Sequence, residues 1–126
     1  MAKRKVRKAG ARRPKRRARK APRAAGGKLP KDAVTLIVIL RAREGQQTLL
    51  EAELRALVGP SRREEGCLAY NLHRSIDTPG ALLLREVWAS REAHTAHTYT
   101  PHFLRWNARK DALLASREAG FWKQIV

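Results

Sequence analysis

The stretch Ala33-Val34-Thr35-Leu36-Ile37-Val38-Ile39-Leu40 constrains the fold of this chain more than any other. It is rich in β-branched side chains and almost wholly apolar, the pattern of a strand buried on both faces. A sheet built around such a strand needs cover on two sides. No apolar run in the chain approaches the ~18 residues that a membrane-spanning helix requires, so none is expected.

Just before that strand the chain changes character. Residues 1–31 hold 15 of the 28 Lys and Arg residues and no acid, whereas all seven aromatics and all four histidines follow Asp32. The formal net charge of +17 therefore divides into +15 on a tail and +2 on residues 32–126. Apart from alanine, the tail's apolar side chains are Met1, Val6 and Leu29. These cannot offset an ordering cost of about 1–2 kcal/mol per residue. Pro14, Pro22, Pro30 and Gly26-Gly27 interrupt any helix its alanines would favour. The expected organisation is a disordered basic tail over 1–31 and one folded domain over 32–126.

The tail lacks the apolar core of a secretory signal, and the lone Cys67 excludes an internal disulfide framework, so a cytoplasmic location is expected. Three readings of the tail stay open. It is an arm that binds nucleic acid, a solubility or docking tail, or a segment that is not translated because the start codon lies downstream. Without aromatics to stack on bases, an arm of this kind would bind phosphates only, with strong salt dependence and no sequence preference.

Within 32–126 the periodicity gives an order of elements. After the first strand, Thr48 to Glu51 has capping-box spacing, and Leu50, Leu54, Leu57 and Val58 form one helical stripe. Gly59-Pro60 predicts a bend, with Ser61 to Glu64 as a second capping box before one more turn. Residues 67–74 alternate as a strand, placing Leu68, Tyr70 and Leu72 on one face. Asp77-Thr-Pro-Gly80 is a turn, and a strand over 81–89 puts Leu82, Leu84, Glu86 and Trp88 on one face. Ser90 caps a short helix to about Tyr99. Thr100-Pro101 starts another that ends before Gly120, and a weak strand occupies 121–126. The result is β-α-β-β-α-β, an α+β, ferredoxin-like arrangement with helices on one sheet face. About 95 residues cannot cover the second face, which predicts a homodimer with two sheets face to face.

Chemistry concentrates in residues 86–103. His94, His97 and His102 fall within nine residues, but no carboxylate stands at a matching spacing, so no functional metal is expected. Two readings of these histidines remain: packing at helix ends, or acid/base work in an apolar pocket. Glu86 shares its strand face with apolar partners and is read as one half of a structural ion pair with an arginine across the sheet or dimer interface. Cys67 is read as a buried packing thiol. The sequence holds no Gly-rich phosphate loop and no Ser-centred nucleophile elbow.

Glu65-Gly66-Cys67-Leu68, Tyr70, Leu72, Asp77 to Gly80, Glu86-Val-Trp88, Glu92-Ala93, His97 and Thr100-Pro-His-Phe103 resemble the antibiotic biosynthesis monooxygenase domain family in order and spacing. The resemblance runs from about Val34 to Phe103. It implies a dimeric α+β barrel and, in some members, cofactor-independent oxygenation of aromatic or quinol-type small molecules, so a monooxygenase is the expected activity. Carried over by position, Trp88 and His97 are the candidate catalytic residues, with Tyr70, His102 and Phe103 as candidate substrate-binding residues. The chain also resembles the haem-degrading branch at Trp88 and His97. That branch has a strand-one asparagine where Val38 stands here, which argues against haem as a cofactor. The alternative reading is a non-catalytic dimeric module whose tail carries it to nucleic acid.

Overall fold

The computed structural model describes residues 28–126. The expected tail therefore lies outside the described residues, apart from residues 28–31. Lys123 Nζ on the C-terminal segment donates to the carbonyls of Lys31 and Ala33 and fixes the entry to the domain.

The domain is built from β1 (Val34–Ala42), α1 (Gln47–Arg62), β2 (Cys67–Arg74), β3 (Ala81–Trp88), α2 (Arg91–His97), α3 (Pro101–Leu113) and β4 (Leu114–Trp122). The strands form one antiparallel sheet in the order β2-β3-β1-β4, the α+β, ferredoxin-like arrangement expected from the periodicity. Register assigns the faces. Leu36 lies opposite Glu86, Val38 opposite Leu84 and Leu40 opposite Leu82, and Tyr70 and Leu72 continue that face on β2. The helices cover it: Leu50, Leu54 and Leu57 of α1 and Trp106 of α3 share one core with these strand residues. Each such leucine contributes about 1.5–3 kcal/mol on leaving water.

The other face carries Ile37, Ile39 and Leu83, all half-buried within one chain. The strand expected to be buried on both sides is thus buried on one. Trp122, opposite Thr35 on this open face, is 63% exposed.

Local expectations failed in four places. First, no capping box forms at Thr48: α1 begins at Gln47, and Gln46 offers no side-chain cap. Glu51 is drawn outward by the guanidinium groups of Arg55 and Arg74, at 2.7 and 2.6 Å. Second, Ser61 is not a cap: α1 does run on past Gly59-Pro60, but as one helix to Arg62 that takes Ser61 inside it. Ser61 is buried, its hydroxyl beside that of Tyr70 but outside hydrogen-bonding geometry. Third, the register shifts between Cys67 and Ala69, so Leu68 leaves the alternation and Cys67 with Tyr70 takes the buried positions. Fourth, α3 ends at Leu113 and β4 starts at the next residue, seven residues earlier than the expected strand. The helix starts at α2 and α3 match expectation. Ser90 Oγ accepts from Ala93 N, and Thr100 caps α3 ahead of Pro101.

Candidate functional site

The end of the sheet where β3 finishes lies beneath α2 and the start of α3, and the chemistry-bearing side chains converge there. Trp88, the last residue of β3, is 0% exposed, and His97, the last residue of α2, is 1% exposed. Their ring centroids are 4.6 Å apart at a tilt of 37°. Tyr70 meets the same imidazole at 5.7 Å and Phe103 at 5.1 Å. His102 stands 5.8 Å away on the solvent side. All five residues singled out in the sequence therefore belong to one cluster, drawn from β2, β3, α2 and α3.

The residue that sequence reading missed is Glu64, in the turn between α1 and β2. Its Oε2 lies 2.6 Å from His97 Nδ1 and 2.6 Å from His102 Nε2. Both contacts set a carboxylate oxygen, an acceptor, against an imidazole nitrogen. Thr100 Oγ1, which donates to the His97 carbonyl at 2.8 Å, also lies 3.1 Å from His102 Nε2. The expected lack of a carboxylate near the histidines is thereby corrected: the chain supplies one from 33 residues upstream of His97. Only the Gly66 turn, which brings 64 under α2, could have hinted at it.

Glu64, His97 and His102 each offer an atom of metal-ligating type, and those atoms lie within 4.8 Å of one another. Two observations favour hydrogen bonding over ligation. The 2.6 Å separations are those of direct hydrogen bonds, closer than two ligands about 2 Å from one tetrahedral ion would stand, and His97 Nε2 has no outer partner among the described residues of the kind that orients a ligating histidine. His97 is enclosed by Trp88, Tyr70 and Phe103, and Val38 is an apolar core residue.

Electrostatics mark the same region. Burial pulls the His97 pKa below its ordinary value, while the Glu64 hydrogen bond works in the opposite direction. His94, wedged between Trp88 and Phe121, is lowered to about 4, chiefly by burial and then by His97. Burial raises Tyr70. Glu86 is 4% exposed, and burial raises its pKa to about 7. The ion pair expected for it is not found among the described residues. Its carboxylate instead accepts from Trp88 Nε1 at 2.9 Å, and the Arg117 charge on β4 only partly offsets burial. Cys67 is buried and in no disulfide.

Comparison with known proteins agrees with the fold and identifies a family. Residues 33–109 match the family model described as antibiotic biosynthesis monooxygenase. Rv0793 of Mycobacterium tuberculosis, whose name proposes a monooxygenase, is 37% identical over 81 residues, covering 64% of this chain and 79% of its own. The structure of PA3566 from Pseudomonas aeruginosa is 36% identical with a TM-score of 0.74, covering 79% of this chain and 100% of that one. A protein of Nitrosomonas europaea, assigned by name to the same monooxygenases, shares the fold at a TM-score of 0.71 with 22% identity, covering 75% of this chain and 91% of its own.

Proposed function

The chain belongs to the antibiotic biosynthesis monooxygenase family, and from that premise we propose that it is a small cofactor-independent oxygenase of an aromatic or quinol-type molecule. The observation that carries this reading is the pairing of a buried imidazole with an indole, His97 on Trp88, in an apolar enclosure. In this reaction His97 Nε2 takes a proton from an activated carbon or hydroxyl of the substrate. The resulting electron-rich anion reduces dioxygen and binds it as a peroxide. Protonation and loss of water leave one oxygen atom in the product as a carbonyl, so substrate and dioxygen supply all the electrons and atoms. In this reading the buried cluster opens to admit the substrate, with Trp88, Tyr70 and Phe103 as a dry, oriented surface and His102 at its rim.

The test offers anthrone- or quinol-like substrates to the wild type and to His97→Ala and Trp88→Phe while oxygen uptake is measured. We expect about a 100-fold loss for His97→Ala, at the low end of what a general base contributes. Trp88→Phe removes the indole together with its hydrogen bond to Glu86 and leaves a small void, and a loss of about tenfold is expected from misorientation. Equal uptake by all three proteins removes these residues from the mechanism.

The functional unit in this reading is a homodimer, supported by the half-buried Ile37, Ile39 and Leu83 on the face opposite the helices. Ile39→Asp should turn a dimer into a monomer in light scattering. A dimer that persists places the contact elsewhere. A cytoplasmic location belongs to the same reading, supported by the single cysteine kept as a buried thiol. No helix among the described residues is long and apolar enough to cross a membrane.

A further inference from the structure

We infer that Glu64 is a positioning residue, which holds His97 with its proton on Nδ1 so that Nε2 is left bare as the base beside Trp88. The inference rests on the oxygenase reading for its consequence in catalysis but not for its geometry. A buried neutral imidazole has two tautomers, and nothing in its own chemistry makes Nε2 the acceptor. The 2.6 Å contact from Nδ1 to a carboxylate oxygen favours the tautomer with its proton on Nδ1, because a carboxylate accepts hydrogen bonds.

The groups facing His97 are few. Glu64 comes from the turn after α1, His94 from its own helix, His102 from α3 and Tyr70 from β2. Of these, Glu64 is the acceptor at hydrogen-bond distance from the ring, and the others meet it by ring contact. Glu64 also suits the charge that proton abstraction leaves on the ring. The imidazolium formed at His97 would sit against a carboxylate whose side chain is only 15% exposed, where the attraction is weakly screened. His102, with a side-chain exposure of 14%, ties the same oxygen to the start of α3 and so fixes the carboxylate's direction. Two neighbouring helices thus meet one oxygen atom of a turn 33 and 38 residues upstream, and the His97 ring it orients packs on Trp88 at 4.6 Å.

The experiment is nitrogen-15 NMR of the histidine rings in the full-length protein, run on the wild type, Glu64→Gln, Glu64→Asp and Glu92→Gln. Glu92 is an exposed acid on the same helix and serves as the control. The wild type and Glu92→Gln should show His97 protonated at Nδ1 and bare at Nε2. Glu64→Gln should lose that pattern, because an amide can either accept or donate, and Glu64→Asp should restore it in part. On quinol substrate, kcat of Glu64→Gln should fall about 100-fold with KM within about twofold, the split expected when a base is misoriented and binding is intact. A proton on Nε2 in the wild type overturns the inference, as does an unchanged His97 pattern in a folded Glu64→Gln protein. Stoichiometric zinc binding that Glu64→Gln abolishes also overturns it, in favour of ligation. If the tautomer moves as stated while no variant, wild type included, consumes oxygen, the positioning stands and the oxygenase reading fails.

Discussion

Between pH 4.5 and pH 7 the wild-type chain should lose, through Glu86, on the order of 3 kcal/mol of folding stability that Glu86→Gln keeps. In the unfolded chain this carboxyl releases its proton near 4.5, whereas in the folded chain burial holds the proton until about 7. The folded state therefore binds the extra proton in that window. Its advantage is complete below the unfolded value and is lost as pH rises through the folded one. Each unit of difference is worth about 1.4 kcal/mol. His94 acts in the opposite sense: its folded value near 4 lies below the unfolded 6.5, so stability is lost as pH falls through that interval. The lowered His97 adds to the same side. The wild-type profile should thus be shallow in mid-range because opposing slopes overlap. Glu86→Gln should uncover a stability that rises with pH, and His94→Phe one that falls. Urea denaturation at a series of pH values reads all three, and parallel curves for the wild type and Glu86→Gln would sink the assignment.

The order of elements was legible because each buried stripe has its own period. Leu50, Leu54 and Leu57 repeat as a helix packed on a sheet, and Leu82, Leu84, Glu86 and Trp88 repeat as a strand face. What escaped was set by partners far away in the chain. Residues 114–122 carry Leu, Ala, Arg and Glu, which suit a helix, yet they pair with β1, and that edge decides their state. Glu64 has the local grammar of a helix cap and is claimed instead by two imidazoles 33 and 38 residues later. Glu86 looked costly without a cation, and the partner it found was the indole N–H two residues along its own strand. The cluster of Tyr70, Trp88, His97, His102 and Phe103 was legible only by resemblance, because its members come from four elements whose docking no local pattern states.

That docking has a contact that can be tested alone. Gly66 precedes β2 and comes just after the turn that carries Glu64. A Cβ placed on it would lie 2.5 Å from the Ala93 Cβ of α2, a helical position that cannot swing aside. Its φ is not positive, so an alanine there meets no backbone strain and only the collision counts. Gly66→Ala should therefore destabilise the fold by about 1–3 kcal/mol through overpacking. It should also lower activity, because α2 carries His97 at its end. Ala93→Gly should cost about 1 kcal/mol, the ordinary penalty of glycine in a helix. The double variant moves the methyl group from one side of the contact to the other. If the collision is what Gly66 avoids, its loss should be smaller than the sum of the single losses by at least about 1 kcal/mol. Additive losses in denaturation would mean that the turn and α2 are not held together at this point. The placement of Glu64 under His97 would then need another support.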